Sequence, residues 1–289
     1  MRSSRPEVLI LASRFDLTTD ILISHLRERG LSYLRLNSQD LPGLEITLDP
    51  VAGSLRVGHA EKTWLLERGC VKAVFYRRPV FFSETLPPPT DPLGWLARAH
   101  WLTFFRSLMI FDDALWINHP QATYKAENKP LQLRVAHSLG FMVPNTVVTN
   151  VTGDCRKMGE KIVLKGIDTV RVRSESDEFF GYTRVLNSSK LNDLASMPAI
   201  AQEFVKAKTD LRVTVIGERV YAAEILLDGK PIELDWRLNG SAAVPKPTEL
   251  PPEIEQLCIK LTKRLGLRFG AVDLAKNHDG YYFLEINPT

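Results

Sequence analysis

The sequence lacks the features that mark several protein classes. None of its 289 residues falls in an apolar run near membrane-span length. No secretory signal opens it either: Met1 to Glu7 is polar, and the apolar stretch Val8–Ala12 is too short for a signal core. The cytoplasm is therefore the default expectation. The three cysteines, Cys70, Cys155 and Cys258, are odd in number, far apart and without C-x-x-C or Cys/His ligand spacing, so neither a disulfide nor a zinc site is indicated. The six histidines are scattered, and no Ser-His-Asp or Cys-His pattern is evident. A net charge of +3, dispersed along the chain, lacks the basic stripe that nucleic acid requires. No internal repeat or low-complexity tract is present.

What remains is a soluble-type composition, 44% hydrophobic and 25% charged, in a chain too long for one ordinary core. The order strand (Val8–Ser13), helix (Asp16–Arg29, closed by Gly30), strand (Ser32–Leu36) predicts a small parallel α/β domain. Leu44–Leu48 and Ser54–Val57 read as a hairpin, Val71–Pro79 as a strand, and Leu93–Met109 as a long aromatic helix. That helix carries Trp95, Trp101, Phe104 and Phe105; core is the favoured fate of the stripe, and a homodimer face is the alternative. A linker ends near Asn118-His119-Pro120. Beyond it come a helix, Lys129–Leu139, stopped by Gly140, and strands at Thr146–Thr149, Lys161–Gly166, Tyr182–Leu186, Ala199–Val205, Leu211–Ile216 and Arg219–Leu226. The charged stretch 168–180 reads as a hairpin tip or loop. A helix, Pro252–Leu265, and a closing hairpin complete the pattern.

That hairpin carries the sharpest chemical signal. In Gly270–Asn287 two apolar strands flank the turn signal Asn277-His278-Asp279-Gly280. A three-residue loop pairs Asn277 with Tyr281 and sets Asp273 opposite Glu285, with Asn287 on the same strand face as Glu285. Opposed carboxylates destabilise a sheet unless neutralised, and magnesium, which takes one or two carboxylates plus substrate phosphates, is the natural partner. The competing interpretation is a solvated pair balanced by Lys276 or Arg268.

Lys129 opens a helix and Lys165 ends an apolar strand, positions from which an ammonium could grip phosphate, although most lysines are simply solvated. The strand ending in Gln202, Glu203, Phe204 and Val205 could present backbone groups to an adenine edge, and Asp210 a carboxylate to ribose hydroxyls. Arg212 and Arg237 would offer positive charge to a transferring phosphoryl group.

The order Lys129, Lys165, Gln202-Glu203-Phe204-Val205, Asp210-Leu211-Arg212, Asp235-Trp236-Arg237-Leu238-Asn239 and the D-x11-E-x-N of Asp273, Glu285 and Asn287 resembles the ATP-grasp superfamily. The likeness spans roughly residues 118–287. It implies an ATP-grasp fold of mixed α/β (α+β) class, with an N-terminal α/β domain (1–118), a central lid domain (119–200) and a C-terminal antiparallel-sheet domain carrying the metal site (201–289). It also implies ATP and Mg2+ as cofactors. Lys129 and Lys165 would then contact the phosphates, Gln202 to Val205 adenine, and Asp210 ribose. Arg212 and Arg237 would be catalytic, stabilising the γ-phosphate and an acyl phosphate, while Asp273, Glu285 and Asn287 would bind the metal.

Within that superfamily, Tyr76-Arg77-Arg78-Pro79, Asp235-Trp236-Arg237 and Leu261–Leu274 resemble the graspetide synthetases, the microviridin-type peptide macrocyclases. That resemblance implies a precursor-peptide partner with a leader and an Asp/Glu-containing core, and cross-links closed as esters or amides. Ribosomal-protein glutamate ligases share the landmarks less closely. An amino-acid or peptide ligase, and a nucleotide-binding protein without catalysis, are thus the rival functions. Arg171, Arg173 and the 168–180 loop are candidates for peptide contact; Arg78 either faces the cleft or caps a strand before Pro79. Two departures stand out: the loop after Lys165 is poor in glycine, and the sequence stops at Thr289, where the resembled enzymes continue through a tryptophan-containing segment.

Overall fold

The computed structural model describes residues 2–77, 89–167, 171–173, 178–180, 183–191, 196–232, 236 and 242–289. The chain divides into two compact units, Met1–Thr123 and Tyr124–Pro288, with Thr289 grouped with the first.

The first unit holds a four-stranded parallel sheet in the order Tyr33–Asn37, Val8–Ala12, Ala73–Tyr76, Leu115–Ile117. The α/β reading of the N-terminus rests on the helix Leu17–Glu28, which joins the first two strands in sequence. Asp16 caps it by accepting from the Thr19 N–H at 2.6 Å, and Gly30, at φ +66°, supplies the left-handed turn after its end. A second sheet runs Arg2–Ser4, Lys62–Glu67, Ser54–His59, Glu45–Asp49. Its inner residues Leu55, Val57 and Leu66 share one core with Leu9, Leu11 and Phe105. The aromatic helix runs Pro92–Ser107; Phe105 is fully buried and Trp101 and Phe104 pack on the core, whereas Trp95 is half-exposed.

The second unit contains two larger antiparallel sheets and one two-stranded pair. One has the order Arg184–Asn187, Lys161–Lys165, Ala199–Glu203, Thr146–Thr149. The other has six strands, with Thr209–Ile216 between Arg219–Leu227 and Phe269–Lys276, and Tyr281–Asn287 pairing with the latter. Ala243–Thr248, which the sequence pattern does not reveal, pairs with Arg219–Leu227. Within the 168–180 stretch Arg171–Arg173 and Glu178–Phe180 form an antiparallel pair. The helix Pro252–Arg264 covers one face of the six-stranded sheet with Cys258, Ile259 and Leu261, over the buried Val213, Val215, Val272 and Leu274. Burying that face leaves the alternate residues, among them Arg212, Asp273 and Glu285, on the other. No helix among the described residues is long and apolar enough to cross a membrane.

Candidate functional site

Asp273 and Glu285 are direct cross-strand partners, and Arg212 pairs with Asp273 on its other side. One row across three strands therefore reads Arg212, Asp273, Glu285. The hairpin tip differs from the expected register: Lys276, not Asn277, pairs with Tyr281, and the Asn277 N–H donates to the Gly280 carbonyl at 3.0 Å. That tighter pairing by itself would set Asp273 opposite Leu284. A β-bulge between the Asp273 and Leu274 pairs leaves Leu284 as an extra residue and returns Glu285 to its place. Bulges re-aim side chains in this way.

Asp273 is only 6% exposed, so its charge needs partners. Its Oδ1 accepts from Arg212 Nη1 at 2.8 Å, and its Oδ2 from Asn287 Nδ2 at 3.4 Å. The same Asn287 nitrogen reaches Glu285 Oε1 at 3.4 Å, so one amide bridges both carboxylates. Two carboxylates and a side-chain amide are thus grouped together, and with the amide turned to present its oxygen they would make a hard donor set of the kind magnesium takes.

An open pocket adjoins this row. Lys165, Gln202, Glu203, Phe204, Val205, Asp210, Asp273 and Glu285 all line it, together with Trp236 and the bulge residue Leu284. Lys165 Nζ donates to Gln202 Oε1 at 2.8 Å, and Gln202 Nε2 donates to Thr146 Oγ1 at 2.9 Å. Gln202 is thus a buried amide that aims a lysine, rather than an exposed part of the lining. Phe204 gives the pocket an apolar wall, with Lys161 Nζ 5.0 Å from its ring centroid. Asp210 is also buried, and Lys208 Nζ donates to its Oδ2 at 2.6 Å. Lys208 lines the pocket too and has no sequence signal beyond its two-residue spacing from Asp210 on one strand edge.

Lys129 stands at the start of its helix, capped by Asn128, and its Nζ donates to the Gly166 carbonyl at 3.1 Å, just beyond the strand that ends in Lys165. The described structure thus brings eleven of the twelve site residues expected from sequence into one unit, Asn287 beside the carboxylates among them. Arg237 lies outside the described residues, as do Asp235, Asn239 and Arg78. For Arg171 and Arg173 the backbone strand is described, and no peptide contact follows from it.

The family model for the RimK-like ATP-grasp domain matches residues 126–289. Among solved structures, a Chryseobacterium gregarium RiPP-associated ATP-grasp ligase in complex with ADP, and a leader and core peptide, is 25% identical. It superposes with a TM-score of 0.84 over 100% of this chain and 89% of its own. The macrocyclase MdnC from Microcystis aeruginosa MRC, bound with precursor peptide MdnA, is 24% identical with a TM-score of 0.81, over 99% of this chain and 91% of its own, which is a likeness of fold. By sequence, the tetrahydromethanopterin:alpha-L-glutamate ligase of Methanocaldococcus jannaschii is 30% identical over 213 residues, 65% of this chain and 68% of that protein.

Proposed function

The chain belongs to the RimK-like ATP-grasp family, and from that membership we propose that it is an ATP-dependent ligase acting on Asp and Glu side chains of a ribosomal precursor peptide. The observation that carries this reading is the row Arg212, Asp273, Glu285 beside the Lys165–Gln202 pocket. In it Lys129 and Lys165 hold the ATP phosphates, the backbone from Gln202 to Val205 and the Phe204 ring hold adenine, and Asp210 the ribose. Asp273, Glu285 and Asn287 would hold Mg2+, which when bound neutralises phosphate charge.

A carboxylate is a poor electrophile. In the proposed reaction a substrate carboxylate oxygen attacks the γ-phosphorus, ADP leaves, and an acyl phosphate forms. A Thr or Ser hydroxyl, or a Lys amine, then attacks the carbonyl; phosphate departs, and an ester or amide closes the ring. Arg212 and Arg237 supply fixed positive charge to both oxyanions, and positioning does the rest.

Support for a peptide substrate comes from the Chryseobacterium ligase, solved with leader and core peptide and superposing over the whole chain. We propose the three-part division 1–118, 119–200 and 201–289 within this reading, with the second boundary moved past Glu203, because Ala199–Glu203 belongs to the four-stranded sheet and the six-stranded sheet begins after it. The Arg171–Arg173 hairpin is the proposed peptide contact, the Leu93–Leu96 face with Trp95 the proposed homodimer contact, and the cytoplasm the proposed compartment. The sequence likeness to an alpha-L-glutamate ligase fits a second reading, addition of a free amino acid, without favouring it. Mass spectrometry after incubation with ATP, Mg2+ and a candidate precursor separates them. Loss of one water per cross-link is expected, and gain of an amino-acid residue would transfer the assignment to the second reading.

A further inference from the structure

Gln132 is 2% exposed on the helix Lys129–Leu139, an unusual place for an uncharged amide unless it is fully engaged. Its Nε2 donates to the Ile286 carbonyl at 2.9 Å and to the Ala126 carbonyl, and its Oε1 accepts from the Ile286 N–H at 3.0 Å. The side-chain amide thus pairs with Ile286 on both its groups, as a neighbouring strand would. Ile286 sits between Glu285 and Asn287, on the edge strand of its sheet. Three residues earlier the Phe283 N–H donates to the Met142 carbonyl at 2.8 Å. These two attachments bracket the bulge residue Leu284, whose presence is what sets Glu285 opposite Asp273.

We propose that Gln132 is a positioning residue that clamps the last strand in its bulged register and so holds Glu285 and Asn287 at the metal site. The metal part rests on the proposed function. The clamp itself rests on three hydrogen bonds within one unit. Without it, the strand loses a bidentate partner at Ile286, and a strand able to slip by the one extra residue would turn Glu285 away from Asp273. Lys129 lies three residues earlier on the same helix face, so one helix ties the phosphate lysine to the metal strand. Gln132 is not among the residues that line the pocket.

The test compares Gln132→Met, of similar volume but without hydrogen bonds, and Gln132→Glu, which keeps the acceptor and loses the donors when ionised. Mn2+ uptake with ADP is followed by electron paramagnetic resonance, and amide hydrogen exchange by mass spectrometry on the unliganded chain. In both variants Mn2+ affinity should fall by about tenfold or more, the usual effect of removing an outer partner of a metal ligand. Exchange should quicken in 281–287 while 199–205 stays at the parent rate. Mn2+ affinity within about twofold of the parent, or exchange rising equally in both segments, overturns the clamp. A parent chain that takes up no Mn2+ with ADP overturns the proposed function instead, and the exchange comparison alone then decides the role of Gln132.

Discussion

Asp273 and Glu285 face each other across the last two strands because Leu284 is one residue more than the pairing from the hairpin tip would allow. A like-charged pair set side by side costs stability in a sheet, by roughly 0.2–1 kcal/mol for typical cross-strand pairs. The sequence nonetheless places one there and cross-braces it with Arg212 and Asn287.

Glu285→Gln should therefore separate stability from function. The unliganded thermal midpoint is expected to hold or rise slightly, as the repulsion is removed. Mg2+-dependent nucleotide affinity should drop by about tenfold or more. Differential scanning fluorimetry with and without Mg2+ and ADP reads both effects in one experiment.

Lys165 is aimed by Gln202, which is in turn held by Thr146. Losing a charge-assisted contact to phosphate is worth about 1.5–3 kcal/mol, so Lys165→Met should weaken nucleotide affinity by roughly 10- to 100-fold. Thr146→Val removes only the far end of that chain and should cost a few-fold at most. Calorimetric titration with ADP and Mg2+ ranks the two, and a reversed order would deny Gln202 its aiming role.

Gly270 is needed for space. A Cβ there would lie 2.6 Å from Ile286 Cδ1, in a core where Ile286 is 1% exposed. Gly270→Ala should destabilise by about 1–3 kcal/mol through overpacking. Gly270→Ala with Ile286→Val, which removes the clashing methyl, should recover most of that loss. Urea unfolding of the single and double variants checks the coupling.

Burial, with Glu255 nearby adding to it, pushes the Cys258 thiol up to about 12. The folded state keeps the proton where the unfolded chain releases it, so the sign is fixed. Stability is unaffected below the ordinary thiol range, then falls as pH rises from about 9 toward 12, by at most about 1.4 kcal/mol per pH unit. Cys258→Ala should flatten that alkaline slope relative to the parent. Cys70, which is exposed, should be the one thiol modified quickly by a disulfide reagent at neutral pH.

Much of the second unit was legible because local signals agreed. Asn128 and Gly140 bracket a helix whose observed bounds, Lys129–Leu139, match the expectation, as do those of Thr146–Thr149. The Asp273–Glu285 pairing also followed from strand parity, although the tip is tighter than expected and the bulge makes up the difference. Ala243–Thr248 stayed hidden because Pro245 and Pro247 break a strand pattern, and prolines are tolerated mainly at sheet edges. Gln132 gave no signal at all: its partner is backbone 154 residues away, and no pattern of side chains encodes such a contact.

A cation held by Asp273, Glu285 and Asn287 would carry the nucleotide phosphates, and calorimetric titration of ADP with and without Mg2+ tests this most directly. The parent chain should bind ADP at least about tenfold more tightly with Mg2+ present, an advantage of some 1.4 kcal/mol or more that Asp273→Asn abolishes. No ADP uptake, or uptake indifferent to both Mg2+ and Asp273→Asn, would contradict the account.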